Sequence, residues 1–225
     1  MDVEVYAACD KAIREMNRSN LRAFGQLKGR LKENKGEAGL IRAVTGVYRD
    51  SAKRARRRFL EVAAEAYIIA LMMCGTEPGK AHRMADKAIT GGWMDGILTV
   101  SDPVTMYRFD TETERKAQRL TEALAALADG GKQIGKPVTS PEAEIDRALK
   151  AWSGQLAQYA INVTDYAMKL AYEDAGIQGG FWRSKKDKGV CLECRRRNGK
   201  WFPLKEVPKK HWQCRCWLEP GEKPE

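Results

Sequence analysis

The sequence lacks the features that mark membrane and secreted proteins. It contains no run of about eighteen consecutive apolar residues, the length that a membrane-spanning helix needs. Its first residues, MDVEVYAACDKAIREM, have neither the basic start nor the apolar core of a signal peptide. Six cysteines in 225 residues are too few for a disulfide framework. We therefore expect a protein that folds in a reducing cytosol without membrane contact, where clustered thiols more often bind metal than each other.

The sequence is also poor in groups for acid–base catalysis. It has only two histidines, His82 and His211, and histidine is the side chain best suited to proton transfer at neutral pH. The common phosphate-binding, dinucleotide-binding, zinc-protease and serine-hydrolase motifs are missing. Cys9 and Cys74 stand alone in apolar helical segments and are predicted to be core thiols. We predict that the protein is not an enzyme and has no small-molecule substrate.

Positive charge is concentrated near the C-terminus of the sequence. Residues 181–225 carry 13 Lys and Arg against 6 Asp and Glu, whereas residues 1–180 carry 27 against 24. A basic segment attracts polyanions through phosphate contacts, although charge that serves only solubility fits these numbers equally well. The candidate contacts to non-specific double-stranded DNA are Arg195, Arg196, Arg197, Lys209 and Lys210 in the basic segment and Arg56, Arg57 and Arg58 on a predicted helix.

Apolar residues spaced by three and four predict a mainly α-helical body over residues 1–180. The predicted helices cover residues 3–16, 44–73, 110–129 and 140–176. The glycine-containing stretch 25–39 is expected to be looser, and the segment 89–109 is expected to be a loop with short extended pieces. A possible linker covers residues 129–140. The fold class is therefore mainly α, with long amphipathic helices.

The last predicted helix has the most regular apolar stripe. Its members follow at four-three spacing: Ile145, Leu149, Trp152, Leu156, Tyr159, Val163, Tyr166 and Leu170. Ser140 is a candidate N-cap, and Pro141 suits the first helical turn. A stripe of this kind packs either on other helices of the same chain or on a second molecule, and the first alternative is the more common.

Residues 181–225 contain a cluster of metal-binding residue types. The spacing is Cys191-x-x-Cys194, then His211-x-x-Cys214, then Cys216, and two close pairs separated by a loop can wrap one tetrahedral ion. Thiolates and imidazole suit zinc. Cys191, Cys194 and Cys214 are the firmest candidates. The fourth ligand is either His211 or Cys216. Four protein ligands would make the zinc structural, although free or oxidised thiols remain the alternative.

The loop between the two pairs predicts a small β-hairpin. Asn198-Gly199 is a strong hairpin turn pair, and Trp201 and Phe202 follow it as residues that could pack over the ion. About thirty residues cannot bury enough apolar surface to fold alone. We therefore predict that residues 181–225 form a zinc-knuckle-like module held by the metal or by a larger partner.

These residues resemble a known family. The pattern D-x-G-V-C-x-x-C-x-x-x-N-G-K-x-F over residues 187–202, followed by P-x-x-H-x-x-C-R-C over residues 208–216, is similar to the C-terminal signature of phage Mu F-like minor head proteins. Family members often have an aspartate where this sequence has Asn198. The stretch SDPVTMYRFDTETERKAQRLTEAL, residues 101–124, resembles the helical body of such proteins less specifically.

The resemblance implies a virion component of a tailed phage or prophage, assembled in the bacterial host cytoplasm. Its expected partners are the portal and major capsid proteins, and its expected role is head assembly or DNA packaging and delivery near the portal or the capsid interior. A zinc-dependent regulator that binds nucleic acid non-specifically is the competing hypothesis. An enzyme such as a nuclease would require a metal site with an open position.

Overall fold

The structure, a computed structural model, describes residues 5–33, 36–92, 108–128, 140–184 and 190–225. Most of the predicted loop at 89–109 and of the predicted linker at 129–140 lies outside the described residues, as do residues 101–107 of the less specific resemblance. Within the described residues, no helix has the length and apolarity needed to cross a membrane.

Within the described residues, five helices of 13 to 37 residues confirm the mainly α-helical prediction. Their bounds are α1 Ala7–Glu33, α2 Glu37–Met73, α3 Pro78–Thr90, α4 Phe109–Ala128 and α5 Pro141–Asp174. Four of them match the predicted helices, and α3 was not predicted. Helix α2 stops at a turn in which Gly75 has a φ of +82°, a conformation that glycine adopts without strain. Glu77 then caps α3 by accepting hydrogen bonds from the backbone N–H groups of Gly79 and Lys80.

The first helix is longer than the predicted 3–16, and the expected looser stretch at 25–39 was wrong for most of its length, because α1 continues to Glu33 and α2 begins at Glu37. Gly25 and Gly29 lie within α1, where an added Cβ would meet nothing within 4 Å. Phe24, which precedes Gly25, and Leu27, which lies between the two glycines, are fully buried. Burial of these two side chains outweighs the roughly 1 kcal/mol that each glycine costs relative to alanine.

Helix α5 begins as the sequence predicts. The Ser140 hydroxyl oxygen accepts a hydrogen bond from the backbone N–H of Ala143 at 3.2 Å, and Pro141 occupies the first helical position. Most of the apolar stripe is buried in the chain itself, with Trp152 fully buried, whereas Tyr166 is 40% exposed. All residues from 155 to 161 are buried.

The described residues form two compact units. Unit 1 comprises residues 1–11, 59–97 and 158–225, and unit 2 comprises residues 12–58 and 98–157. The core of unit 2 holds a chain of edge-on and stacked aromatic rings contributed by Phe24, Tyr48, Trp152 and Phe109. The predicted division of the chain at residue 180 stays a prediction; in the structure, residues after 180 pack with helical residues inside unit 1.

Unit 1 ends in a small three-stranded antiparallel sheet. The strands are β1 Gly179–Arg183, β2 Trp201–Pro203 and β3 Trp217–Pro220, in the order β2-β1-β3. Gly180 lies opposite Phe202 on one side and Pro220 on the other. A Cβ on Gly179 would collide with the Trp201 ring, and one on Gly180 would collide with the Glu219 carbonyl oxygen. Glycine is therefore required where the central strand approaches both neighbours.

The predicted hairpin turn at Asn198-Gly199 was placed wrongly. These residues end a short helix, α6 Leu192–Arg197, and Gly199 adopts a φ of +80° just beyond its end. A glycine in the left-handed region ends helices as readily as it turns hairpins, so the dipeptide alone does not distinguish the two. The small C-terminal β module of the predicted fold class is nevertheless present, with β1 supplying the central strand.

Candidate metal centre

The five predicted ligand residues come together around Cys194. Its Sγ lies 3.6 Å from the Sγ of Cys214 and 3.4 Å from the Nε2 of His211. The ligand atoms form two groups, each with all atoms within 4.8 Å of one another: one comprises Cys191, Cys194 and His211, and the other Cys194, Cys214 and Cys216. Cys194 belongs to both groups, and this cluster could hold a metal ion.

The first pair of cysteines is positioned by helix α6. Cys191 is the N-cap residue, and its sulfur accepts a hydrogen bond from the backbone N–H of Cys194 at 3.3 Å. A sulfur in this position satisfies a helix N-terminal N–H that has no partner within the helix. The x-x spacing thus brings the second thiol back toward the first within one helical turn.

The ring of His211 is oriented by its own chain. Its Nδ1 lies 2.9 Å from the carbonyl oxygen of Trp212. A carbonyl oxygen only accepts hydrogen bonds, so this contact requires the proton on Nδ1 and leaves a lone pair on Nε2. Nε2 is the atom that faces Cys194. Metal-binding histidines commonly use one ring N–H in this way to fix the ring.

The thiols lie in surroundings that disfavour their charged form. The pKa of Cys194 is raised, first by burial and then by its neighbours Cys216 and Cys191. The pKa of Cys214 is raised by its hydrogen bond with Cys216 and by burial. Without a cation these thiols hold their protons at neutral pH. A metal ion bound here would replace protons, so binding is expected to release them.

Two distances between donor atoms are close to those around a tetrahedral ion. Zinc–sulfur bonds of about 2.3 Å and zinc–nitrogen bonds of about 2.0–2.1 Å place two sulfurs about 3.8 Å apart and a sulfur and a nitrogen about 3.6 Å apart at tetrahedral angles. The distances of 3.6 Å and 3.4 Å from Cys194 to Cys214 and to His211 are close to these values. The donors, cysteine sulfur and histidine nitrogen, are also the types that bind zinc.

Apolar side chains enclose the cluster. The buried core consists of Trp182 with Cys194, Cys214 and Cys216, and the residues Val190, Cys191, Phe202 and Val207 pack against it. The ring of Phe202 meets that of Trp182 edge-on at 6.1 Å between centroids. The buried indole N–H of Trp182 has no hydrogen-bond acceptor among the described residues. This core therefore consists largely of thiols and contains an N–H donor that has no acceptor in the described part of the chain, so apolar burial alone does not account for it.

The second ligand segment, residues 210–216, is anchored to helical residues of unit 1. The ammonium group of Lys210 pairs with Asp165 of α5 at 2.7 Å. The backbone N–H of Gln213 donates to the side-chain oxygen of Gln158 at 2.6 Å. The Nε of Arg215 donates to Asp10 of α1 at 2.7 Å. Anchored residues therefore alternate along this segment with the ligands His211, Cys214 and Cys216.

Sequence reasoning missed the residues that provide these anchors. They are Tyr6, Asp10, Gln158 and Asp165. Asp165 lies next to Tyr166 of the predicted stripe, and burial raises its pKa above the ordinary range although Lys210 and Tyr6 both lower it. No spacing in the sequence relates positions 10 and 165 to position 215, so only the fold brings them together.

The candidate DNA contacts of the basic segment lie in different environments. Arg195, Arg196 and Lys209 are exposed. The guanidinium of Arg197 lies 5.5 Å from the centre of the Trp182 ring and donates to the carbonyl of Lys209. Lys210 is engaged with Asp165 as described above. Arg196 also pairs with Glu193 at 3.6 Å. The exposure of these three residues leaves them accessible to a polyanion.

The candidate residues on α2 belong to unit 2. Arg57 is exposed. Arg56 pairs with Asp110 and lies 5.4 Å from the centre of the Phe109 ring, and Arg58 pairs with Glu15 at 2.9 Å. Two of the three arginines thus have intramolecular carboxylate partners, and their role in DNA binding stays a prediction.

Comparison with known proteins finds no matching family model, no matching curated protein and no matching solved structure.

Proposed function

We propose that this chain is a minor head protein of a tailed phage or prophage, and that its C-terminal segment is held by a structural zinc ion. The observation that supports the proposal is the meeting of signature residues that are distant in sequence. Cys194 lies in one group of ligand atoms with Cys191 and His211 and in a second with Cys214 and Cys216, and the signature aromatic Phe202 packs against the second group. The meeting of these residues supports the metal-binding part of the proposal, and the resemblance of the signature supports the head-protein part.

The zinc would join the two ligand segments. Residues 191–194 lie at the start of α6, whereas residues 211–216 lie between the 3₁₀ helix Leu204–Glu206 and β3. Ligation of both segments by one ion fixes their separation more firmly than the weak thiol contacts alone. Four protein ligands leave no position for a reactive water, so we assign the ion a structural role.

Replacement of Cys194 by serine tests this proposal most directly. Cys194 belongs to both ligand groups, so its loss should abolish zinc binding whichever residue is the fourth ligand. We expect about one zinc per chain in the wild type and none in Cys194→Ser, by elemental analysis of protein prepared without chelator. The matched control is Cys74→Ser, the same chemical change at a thiol outside the cluster, which should retain zinc.

The head-protein part of the proposal has separate tests. The gene should lie beside those for a portal, a protease or scaffold, and a major capsid protein. In a prophage that carries it, Cys194→Ser should reduce incorporation of the protein into heads or the infectivity of those heads, and Cys74→Ser should not. A gene among regulators, together with heads that never contain the protein, would exclude the proposal.

Exposed basic residues favour a second candidate, a zinc-dependent protein that binds nucleic acid non-specifically. Arg195, Arg196 and Lys209 present positive charge on unit 1. Binding through phosphates should weaken steeply between about 50 and 200 mM salt and show no preference for sequence. Replacing these three residues by alanine should lower the affinity and the salt dependence together. Salt-insensitive, sequence-selective binding would instead indicate a regulator that reads bases.

A further inference from the structure

Lys210 connects the metal centre to the helices through one ammonium group. Its Nζ donates to the Asp165 carboxylate at 2.7 Å, to the Tyr6 hydroxyl oxygen at 3.1 Å and to the carbonyl oxygen of Cys216. An ammonium group has three N–H donors, so these contacts can use all of them. The Tyr6 hydroxyl also contacts Asp165 and, at 3.1 Å, the Cys216 carbonyl.

This network reaches both ends of the second ligand segment. Lys210 is the residue before the candidate ligand His211, and the carbonyl it contacts belongs to the candidate ligand Cys216. The Lys210 side chain is only 18% exposed and that of Asp165 26% exposed, so the charges are partly removed from water. A partly desolvated ammonium group needs a nearby anion to stay in place, and Asp165 supplies that charge.

We propose that Asp165 is a positioning residue of the metal centre, which through Lys210 holds His211 and Cys216 close to Cys194 before the ion binds. The inference rests on the metal-binding part of the proposed function. The sequence left open whether the metal or a larger partner holds the module, and the inference assigns part of that role to helical residues of the same unit. Residues that orient ligands without touching the metal typically change metal affinity by about ten- to a hundredfold.

Asp165→Asn tests the inference, because it removes the charge and keeps the shape. We expect zinc and cobalt(II) to bind about ten- to a hundredfold more weakly than to the wild type, measured by competition with a chromophoric chelator. The absorption spectrum at cobalt saturation should be unchanged, because all ligands remain. The matched control is Asp146→Asn on the same helix. Asp146 pairs with Lys28 at 2.6 Å in unit 2 and should not affect metal affinity.

A second substitution separates positioning from general stability. Lys210→Met alone should weaken metal binding to a similar extent, and the double variant with Asp165→Asn should bind little more weakly than either single variant, because both changes interrupt the same link to the Cys216 carbonyl. A purely structural role for Asp165 would lower the melting temperature of the metal-free protein without changing the metal dissociation constant. If Asp165→Asn does not fold, as judged by circular dichroism, Tyr6→Phe replaces it, because that change removes only one hydroxyl from the network.

The preformed arrangement can also be tested without metal. In the metal-free wild type, iodoacetamide should alkylate Cys194, Cys214 and Cys216 slowly. Alkylation of these cysteines should be faster in the network variant, which is Asp165→Asn or, if that does not fold, Tyr6→Phe. Mass spectrometry gives the rate for each cysteine. Wild-type affinity and wild-type alkylation in the network variant would overturn the inference and leave the zinc proposal intact. Failure of the wild type to bind either metal would overturn both.

Discussion

Two buried tryptophans show that the two units build their cores differently. In unit 2 the indole N–H of Trp152 donates to the Ser51 hydroxyl at 2.8 Å, and that hydroxyl donates to the Asn20 side-chain oxygen at 2.6 Å. In unit 1 the indole N–H of Trp182 has no acceptor among the described residues. In the unit 2 network, the Asn20 side-chain nitrogen is the buried polar atom that has no hydrogen-bond partner among the described residues.

The difference concerns what surrounds each ring. Trp152 packs against Tyr48 at 5.3 Å and Phe109 at 6.1 Å between ring centroids, so apolar surface fills its site. Trp182 packs among the thiols of Cys194, Cys214 and Cys216, which suit a cation. The pKa values of Cys194 and Cys214 are raised by burial and by neighbouring thiols. Apolar burial therefore accounts for the unit 2 core, whereas the core around Trp182 depends in addition on what its thiols bind.

The largest effect is expected for Trp152→Phe. The smaller ring leaves a cavity and also leaves the Ser51 hydroxyl with one partner fewer inside the core. We expect the free energy of unfolding to fall by about 2–4 kcal/mol, measured by urea denaturation. Added chelator should not change this loss, because unit 2 contains none of the candidate ligands.

Trp182→Phe should have a smaller effect in metal-free protein. The substitution leaves a similar cavity but removes an N–H that has no acceptor, so no partner is left unsatisfied. We expect a loss of about 1–2 kcal/mol in the same urea experiment with excess chelator. Equal losses for the two tryptophan variants would show that the hydrogen bond to Ser51 contributes nothing and would remove the contrast between the cores.

The smallest effect on stability and metal binding concerns Cys74, a thiol of the helical region outside the metal centre, whose change is expected only in its reactivity. Burial raises its pKa to about 11, so at pH 8 only roughly a thousandth of it is the reactive thiolate. Iodoacetamide should therefore alkylate Cys74 on the order of a hundredfold more slowly than an unperturbed thiol, and the rate should rise with pH up to about 11. Zinc should leave this rate unchanged. A rate that is independent of pH between 8 and 10 would contradict the assignment.

The helices could be predicted because their causes are local. The apolar stripe from Ile145 to Leu170 repeats over many turns, and the Ser140–Pro141 start is a short-range pattern. Helix α3 was missed because it has only 13 residues and its cap is Glu77 rather than one of the usual cap residues. Gly25 and Gly29 led to the wrong prediction of a looser stretch, because burial of the neighbouring side chains outweighs the low helix propensity of glycine.

The metal cluster was predicted from close spacing, whereas its supports could not be. Cys191 and Cys194 lie within one helical turn, so their proximity is fixed by the sequence interval. The Asp165–Lys210 pair joins residues 45 positions apart, and the Arg215–Asp10 pair joins residues 205 apart. Neither pair has a characteristic interval, and many acidic and basic residues could have formed equivalent pairs on composition alone.

The contacts between Tyr6 and Cys216 and between Asp10 and Arg215 also bear on the order in which the protein folds. They join residues separated by 210 and 205 positions. At about 5–20 residues per second, roughly 10–40 s of translation separate the appearance of the two partners. Loops of this length close slowly compared with helix formation. On a ribosome, the start of α1 therefore waits for partners made long after it, and unit 1 is completed last.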